Sequence, residues 1–330
     1  MYKHLDQQLR YQIYVLRRKG STQKEIANLL DVHPSTICRE IARNRGKKGY
    51  WPIQAHQKAT IRKSKANRSN ARKCNPSLRV VVFSKISKDK WSPKQISESI
   101  RRGFIPEAQG LGTISSETIY KWVMEDKLSG GSVFTGLRRK KKKYNRRLKP
   151  NAGRGFIPGR RDIEDRPQHI ENRQEFGHWE ADTVIGTQAK GEVIVTVVER
   201  KSRKVLAGKA SSKSSEDVTK TLLKLLDPVK DSVKTITFDN GKEFAKHSFI
   251  DEILGCTSYF AKPYHSWERG SNEHFNGLLR QFIPKGVPIE NFSDDLIEEA
   301  IELINTRPMA LHDFLCADTI FEKERLALNL

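Results

Sequence analysis

The sequence contains little cysteine and no long apolar run. Its four cysteines show neither a CxxC spacing nor a cysteine–histidine pattern typical of metal ligands. A disulfide scaffold is therefore disfavoured, and a reducing compartment is expected. No apolar stretch reaches the roughly 18 residues that a membrane-spanning helix requires. The opening residues, MYKHLDQQLR, also lack the apolar segment of a signal peptide, so the sequence predicts a cytoplasmic protein.

Acidic residues are scarce in the first half of the chain. Residues 1–150 contain 36 lysines and arginines against 10 aspartates and glutamates, whereas residues 151–330 contain 25 against 29. The formal net charge of +22 at pH 7 therefore comes from the first half. Such asymmetry predicts that the first half binds a polyanion, and a nucleic-acid phosphate backbone is the expected one. A basic surface that only confers solubility is the alternative.

The N-terminal region has the pattern of three short helices. A helix over residues 22–30 ends at DVHP, and Pro34 suits the first turn of the next helix, over residues 34–44. The apolar residues that these two helices are expected to bury are Ile26, Leu29, Leu30, Ile37 and Ile41. Two helices joined by a short turn are typical of the helix-turn-helix motif, in which the second helix enters the major groove of double-stranded DNA.

The second of these helices has a basic and hydroxylic outer face. Its candidate DNA contacts are Ser35, Thr36, Arg39 and Arg43. The arginines can contact guanine edges or phosphates, and the sequence does not separate these two roles. A helical bundle with a solvated basic face is the alternative.

A weaker second instance of the pattern follows. WSPKQISESIRRGF begins a helix with Ser92 as the N-cap and Pro93 at the first helical position. A further helix over residues 116–125 is expected to bury Ile119, Trp122 and Val123 and to direct Lys121 outward as a DNA contact. The long connection GFIPEAQGLGTIS fits a tight turn poorly, so a helical domain without a DNA-reading role is the alternative.

Residues 136–161 are dense in lysine, arginine, glycine and proline. A segment with so few apolar residues cannot bury a core, so we expect an extended or disordered linker that follows phosphates. Its candidate DNA contacts are Arg138, Arg139, Lys140 and Lys141. A targeting signal or a solvated linker is the alternative.

After about residue 166 the pattern becomes that of an α/β domain. Three strands in GHWEADTVIG, EVIVTVVER and SRKVLAGKAS are expected to form a meander. A capped amphipathic helix in SSEDVTKTLLKLLDP, a fourth strand in VKTITFDNG, a helix at about 243–254 and a fifth strand in TSYFAKPY follow. An amphipathic helix that contains Glu273 and a last helix at about 293–305 complete a mixed sheet covered by helices.

Three carboxylates occupy suggestive places in this domain. Asp182 lies within the first strand, where aspartate is disfavoured, and Asp239 lies at the end of the fourth strand. Glu273 lies in the first turn of its helix. If the first and fourth strands are neighbours, the three side chains converge at one edge of the sheet. Each also has an ordinary explanation: an edge-strand charge, an Asx turn and a favourable interaction with the helix dipole.

Clustered carboxylates repel one another unless a cation neutralises them. Ligands that are all oxygen atoms suit Mg²⁺ or Mn²⁺. Two such ions, about 4 Å apart, can hold the attacking and leaving oxygens of an in-line phosphoryl displacement. The acids therefore predict a phosphodiester-cleaving enzyme whose nucleophile is water or a DNA 3′-hydroxyl.

The stretches FGHWEADTVIG, TFDNGKEFA and YHSWERGSNEHFNGLLRQFIPKG resemble the DDE transposases of bacterial insertion sequences, in particular the IS30 family. There are 33 residues between Asp239 and Glu273, the separation known for that family. The N-terminal stretch KEIANLLDVHPSTICREIARN is similar as well, so the resemblance covers nearly the whole chain.

The resemblance implies an RNase H-like core of integrase type in which Asp182, Asp239 and Glu273 form the catalytic triad and hold the metal ions. It implies Mg²⁺-dependent cutting and joining of transposon ends by a homo-oligomer on nucleoid DNA, and two N-terminal helix-turn-helix regions. Asn276 and Arg280 match positions after the family's glutamate and are expected to orient it or to contact DNA. His265 lies nearby in the chain and is a further candidate neighbour.

The predicted organisation has four parts. They are a first helix-turn-helix domain at 1–60, a second helical domain at 61–135, a basic linker at 136–165 and the catalytic domain at 166–330. The predicted function is a transposase that binds terminal inverted repeats, hydrolyses a phosphodiester and transfers the 3′-hydroxyl strand to target DNA. The alternatives are a DNA-binding regulator with an inactive core and a related metal-dependent nuclease or integrase. The tail NTRPMALHDFLCADTIFEKERLALNL departs from the family pattern, which puts normal end binding and oligomer contacts in question.

Overall fold

The computed structural model describes residues 5–71, 75–138, 157–187, 191–262 and 270–328. The chain divides into two compact units, Met1–Pro76 and Ser77–Leu330. The first unit is helical, and the second combines helices with a five-stranded sheet. Among the described helices, none has the length and apolar character needed to cross a bilayer.

The helices of the first unit are α1 (Gln7–Arg18), α2 (Gln23–Leu29), α3 (Pro34–Asn44) and α4 (Pro52–Ala71). A capping box formed by Thr22 and Glu25 starts α2, and Pro34 occupies the first turn of α3, as predicted. The α2–α3 pair is therefore the helix-turn-helix arrangement that the sequence indicates.

The core of the first unit draws small and branched side chains from all of these helices. Its members include Ile13, Ile26, Ala27, Leu30, Ile37, Ile41 and Ala55. The prediction that Leu29 belongs to this core is wrong, because α2 ends at Leu29 and its side chain is 67% exposed. The predicted domain boundary at residue 60 falls inside α4, whose Ala55 is fully buried.

The second unit begins with α5 (Pro76–Ser87), α6 (Pro93–Arg101) and α7 (Ser116–Leu128). Ser92 caps α6 through a capping box with Gln95, and Pro93 occupies its first turn. The inward residues predicted for α7 are all buried: Ile119, Trp122 and Val123.

The sheet of the second unit consists of β1 (His178–Ile185), β2 (Val193–Glu199), β3 (Val205–Ala210), β4 (Thr235–Phe238) and β5 (Thr257–Phe260). The strand order is β3-β2-β1-β4-β5. The predicted meander is present, because β1 pairs with β2 and β2 with β3 in antiparallel fashion. The first and fourth strands are neighbours, as the argument for the acids required, and they run parallel.

Helices cover both faces of the sheet. They are α8 (Gln168–Glu171), α9 (Ser215–Leu226), α10 (His247–Leu254), α11 (Gly270–Leu279), α12 (Asp294–Asn305) and α13 (Ala317–Leu328). Successive residues of a strand point to opposite faces. Accordingly, Val193, Val195 and Val197 of β2 pack with α9 and α10 in one cluster, whereas Ile194 and Val198 pack with α11 and α12 in the other.

The structure corrects three sequence-based boundaries. The helix predicted at about 243–254 begins at His247, because a short 3₁₀ turn first places Phe244 against Phe238, with 4.6 Å between the ring centroids. The helix at 293–305 is not the last one, because α13 follows it and buries Phe321 in the sheet core. The last part of the predicted linker is ordered, since Ile157 lies in the same core.

Candidate active site

Asp182 lies in β1, and Asp239 directly follows β4, the strand that pairs with β1. β1 and β4 are parallel, with Glu180 beside Thr237. The pairing ends at Glu180 and Thr237, which precede Asp182 and Asp239 by two residues each. Both side chains are half-buried. Because side chains alternate along a strand, Asp182 lies on the same face as Glu180, which is the face covered by α11.

Asn276 of α11 holds Asp182. Its Nδ2 donates a hydrogen bond of 2.7 Å to Oδ2 of Asp182, and the Thr183 backbone N–H donates one of 3.0 Å to Oδ1. Glu273 lies three residues before Asn276 and therefore on the same face of the helix. The Asn276 bond thus links the glutamate-bearing helix to the aspartate-bearing strand.

Asp239 is fixed by the turn that follows β4. Its Oδ1 accepts a hydrogen bond of 2.8 Å from the Gly241 backbone N–H, which is the Asx turn considered as its ordinary role. The neighbouring Asn240 is buried, accepts from Arg160 at 2.5 Å and donates to the Ala261 carbonyl. The turn is therefore anchored on two sides, and it presents the carboxylate at the sheet edge.

Glu180 is a functional residue that the sequence reasoning missed. Its side chain is fully buried and accepts hydrogen bonds from the backbone N–H groups of Ser271 and Asn272, at 3.2 and 3.3 Å. It also forms an ion pair of 3.0 Å with Nε of Arg200. A carboxylate at the first N–H groups of a helix interacts favourably with the helix dipole. Glu180 therefore fixes the start of α11, one turn before Glu273.

Arg280 fixes the other end of the same helix. Its guanidinium donates a hydrogen bond of 2.7 Å to the carbonyl of Ile185, the last residue of β1. Partial burial lowers the pKa of Arg280 from its ordinary value. In this structure Arg280 therefore orients α11 against β1. His265, the other candidate neighbour, lies outside the described residues.

The structure does not bring the three acids together as a close group of metal ligands. Among the described residues, they are not a group whose potential ligand atoms all lie within 4.8 Å of one another. Oδ1 of Asn276 is buried and has no hydrogen-bond partner in the described part of the chain. An unsatisfied oxygen beside carboxylates fits a divalent cation or the water bound to it.

The potential ligand atoms of three other side chains near the start of β1 do lie within 4.8 Å of one another. These side chains are His169, Glu175 and His178. The two Nε2 atoms lie 2.9 and 3.1 Å from Oε2 of Glu175, and Nζ of Lys234 lies 2.8 Å from Oε1. Hydrogen bonds from Lys234 and His178 lower the pKa of Glu175 to about 2. His178 precedes Asp182 by four residues, or about 13 Å along the strand, so this group is separate from the triad.

The predicted DNA contacts of α3 are largely accessible. Arg39 and Arg43 are exposed, whereas Ser35 and Thr36 are half-buried. Arg39 folds back on Ser35, donating to its carbonyl at 3.0 Å and to its hydroxyl at 2.7 Å. Arg43 has no such contact to the helix among the described residues, so it is the freer of the two cations.

The remaining DNA-contact predictions lie in the second unit. Lys121 is exposed on α7. Arg138 is exposed and lies 3.4 Å from Nδ1 of His274, next to Glu273. Arg139, Lys140 and Lys141 lie outside the described residues.

Each of the two units contains a segment that matches a known protein family. Residues 1–44 match a family described as a helix-turn-helix domain, and residues 172–266 match the integrase core domain. The catalytic core of BIV integrase resembles 47% of this chain over 100% of its own length, with 17% identity and a TM-score of 0.38.

Relatives match along nearly the whole chain. The transposase for insertion sequence element IS4351 of Bacteroides fragilis is 39% identical over 325 residues, covering 98% of this chain and 97% of the relative. Transposase InsI for insertion sequence element IS30A of Escherichia coli (strain K12) is 34% identical over 306 residues, covering 91% and 78%. With a helix-turn-helix domain followed by an integrase-type core on a mixed five-stranded sheet, the chain belongs to the IS30 family of insertion-sequence transposases.

Proposed function

We propose that this transposase binds the terminal inverted repeats of its own element and cuts and joins them with Mg²⁺ or Mn²⁺. The observations that support the proposal are the parallel pairing of β1 and β4, which ends two residues before Asp182 and Asp239, and the hydrogen bond to Asp182 from Asn276 on the helix that bears Glu273. Two ions held by these three carboxylates would supply charge neutralisation and in-line positioning for phosphoryl transfer.

The chain's own residues account for the geometry of the site. Asn276 and the turn after β4 set the two aspartates, and Glu180 and Arg280 set the helix that presents the glutamate. In the first reaction, water forms a bond to phosphorus and the bond to the 3′-oxygen breaks. In the second, the freed 3′-hydroxyl forms a bond to a target phosphate and displaces a target 3′-oxygen. The carboxylates form no covalent bond to the DNA in either reaction, so no covalent intermediate with the protein is needed.

The organisation that accompanies this function is also a proposal. The segments are a helix-turn-helix domain at 1–60, whose last helix α4 extends to Ala71, and a second DNA-binding helical domain at 61–135. A basic linker at 136–165, whose end from Ile157 packs in the sheet core, leads to the catalytic domain at 166–330. Ser35, Thr36, Arg39 and Arg43 contact the transposon end, with Lys121 and the cluster at 138–141 as further DNA contacts. The acting species is a homo-oligomer on DNA, as expected for an enzyme that joins two ends.

The test is cleavage of a labelled duplex carrying the element's end, with Mg²⁺ or with EDTA. Asp182→Asn and Glu273→Gln each remove one ligand charge, so we expect cleavage and strand transfer to fall by at least about 100-fold. DNA affinity, measured by gel shift, should stay within about twofold. Glu298→Gln is the matched control, because Glu298 is an exposed glutamate on α12.

Undiminished strand transfer by either triad variant would reject the assignment of the acids. Sequence-specific binding without any divalent-dependent cleavage by the wild type would favour a regulator instead. Cleavage without joining to a target would favour a nuclease.

A further inference from the structure

A cavity of about 760 Å³ lies in the second unit beside α11. Ser271, His274 and Leu278 of α11 line it, whereas Glu273 and Asn276 lie on another face of the same helix. The opposite wall comes from the amino end of α6 and from residues 304–314. The cavity and the acidic site thus share one helix as their boundary.

The cavity wall is strongly basic. Among the described residues that line it there are six lysines and arginines and no aspartate or glutamate: Lys90, Lys94, Arg138, Arg173, Arg203 and Arg307. Three of the six, Arg173, Arg203 and Arg307, come from residues 151–330, where 25 basic side chains do not outnumber 29 acidic ones. Such a concentration of one sign in a concave wall attracts anions.

Two of the arginines are held by neutral partners. Arg307 is buried and donates to Oε1 of Gln281 at 3.1 Å and to the carbonyl of Asp89 at 3.2 Å. Arg203 donates to the hydroxyl of Ser271 at 2.6 Å. Burial lowers the pKa of both arginines to about 10. The positive charge of Arg138 further lowers the pKa of Arg307, and that of Arg173 lowers the pKa of Arg203. Asp89 acts in the opposite direction on Arg307, as Glu180 and Glu199 do on Arg203. An anion in the cavity would add to these carboxylates in stabilising the two guanidinium charges.

The rest of the wall is apolar and aromatic. It includes Val198, Tyr120, Phe275, Leu278 and Phe314. The volume falls within the range of about 300–1,000 Å³ typical of small-molecule sites. An inorganic ion would fill little of this space, whereas a nucleotide combines an anionic phosphate with a flat, largely apolar base. Arginine-rich grooves with aromatic side chains are typical of single-stranded nucleic-acid sites.

We propose that this cavity binds one or two nucleotides of a single DNA strand, with phosphates at Arg173, Arg203 and Arg307 and a base against the apolar wall. The inference rests on the proposed function, and it adds a location for the strand that the catalytic acids act on. A frayed strand end held here would lie on a different face of α11 from Glu273, with that one helix between the strand end and the acids.

The first test is photocrosslinking of a single-stranded hexanucleotide that contains 5-bromodeoxyuridine to the full chain, with peptide mapping. We expect crosslinks in peptides that contain Tyr120 or Phe314. Crosslinks confined to other peptides would overturn the proposal.

The second test is the affinity of the same oligonucleotide for charge variants. Arg173 is half-buried and borders the cavity, so Arg173→Glu should weaken binding at least about 10-fold and reduce the salt slope by about 0.7 or more. Arg173→Lys keeps the charge and should restore most of the affinity. Lys323→Glu on α13 is the matched control for reversal of an exposed charge outside the cavity, and it should change affinity less than about twofold.

Equal affinities for the Arg173→Glu and Lys323→Glu variants would refute the cavity assignment. A thermal shift with inorganic phosphate but none with the oligonucleotide would refute the nucleotide as its occupant. Neither assay requires cleavage. If the protein binds the oligonucleotide in the cavity but does not cut DNA, only the proposed function is refuted. If it cuts DNA but the two variants bind the oligonucleotide equally well, only the cavity proposal is refuted.

Discussion

Glu180 and Asp182 lie on the same face of β1, but their surroundings give them different roles. Glu180 is fully buried among donors, namely Arg200 and the first N–H groups of α11, whereas Asp182 is half-buried at the open edge. The first can hold a helix in place, and the second remains accessible to a cation. Of two carboxylates two residues apart, Glu180 thus positions a helix, and Asp182 is the one that stays partly exposed.

Replacing Glu180 should loosen α11 and displace Glu273. Glu180→Ala removes the nearer of the two carboxylates that pair with the buried Arg200, at 3.0 Å against 3.4 Å for Glu171, so we expect a loss of about 3 kcal/mol in the free energy of unfolding. Because the glutamate is misplaced, the Mg²⁺ concentration for half-maximal cleavage should also rise several-fold. Glu180→Gln retains an accepting oxygen, so its Mg²⁺ concentration for half-maximal cleavage should lie between those of the wild type and Glu180→Ala.

The Mg²⁺ midpoint separates positioning from simple destabilisation, because fewer folded molecules lower the maximal rate without moving the midpoint. The Glu298→Gln variant provides the reference titration. An unchanged midpoint in Glu180→Ala would leave Glu180 with a purely structural role.

His178 gives the fold a dependence on pH. Burial lowers the pKa of His178 below its ordinary value, although the contact with Glu175 acts in the opposite direction and Lys234 and Arg200 in the same one. The folded state therefore binds this proton less readily than the unfolded state. Stability from this group is present above the unfolded pKa of about 6.5 and is lost as the pH falls below it, by at most about 1.4 kcal/mol per pH unit.

The measurement is the urea midpoint between pH 7.5 and pH 5. His178→Gln should flatten the decline on acidification, because Gln does not titrate. His169→Gln removes the exposed histidine on the same carboxylate and serves as the control. Parallel curves for the wild type and His178→Gln would contradict the role of His178.

The site could be predicted from the sequence only in part. Asp182 and Asp239 are recognisable because a carboxylate within a strand and another at a strand end need a reason, and strand order then determines whether they meet. Glu180 was missed because its partners, Ser271 and Asn272, lie more than 90 residues away. A sequence shows that a buried acid needs donors, but it does not show which backbone N–H groups supply them.

At the scale of elements, the helix boundaries with chemical signals were the predictable ones. Pro34 in α3 and the Ser92–Pro93 start of α6 determined where those helices begin. α4 carries no clear apolar stripe, since its sequence PIQAHQKATIRKSKANRSNA is mostly polar, and it was not anticipated. α13 was also missed, because its main anchor is one aromatic residue, Phe321, whose contact with Trp179 depends on tertiary structure.

α3 supplies a prediction about DNA recognition. Arg43 is exposed on its outer face, and a guanidinium there can contact a base edge or a phosphate in the major groove. Arg43→Ala should therefore weaken binding to the cognate end by about 10-fold, as measured by gel shift. Arg18→Ala removes an exposed arginine from the end of α1 and should have a smaller effect. An unchanged footprint on the cognate end would reject a groove-facing role for Arg43.

At the scale of the whole molecule, charge is divided between two tasks. Residues 1–150 carry a net charge of +26, from 36 basic and 10 acidic side chains, and residues 151–330 carry −4, from 25 and 29. DNA attraction should therefore depend mainly on the first half, and the acidic half contributes the metal-binding carboxylates. The salt dependence of DNA affinity distinguishes the contribution of the basic half from that of the acidic half.

The affinity for duplex DNA should fall linearly on a double-logarithmic plot against salt, because each contacted phosphate releases condensed counterions. A chain that neutralises about six phosphates loses roughly 1,000-fold in affinity between 50 and 200 mM salt. Arg43→Ala should reduce the slope by up to about 0.9, whereas Asp182→Asn should leave it unchanged although cleavage is lost. Fluorescence anisotropy with a labelled duplex measures both variants without any cleavage. A slope that falls equally in the two variants would mean that residues around Asp182 also neutralise phosphates, and the division of charge between the halves would then be wrong.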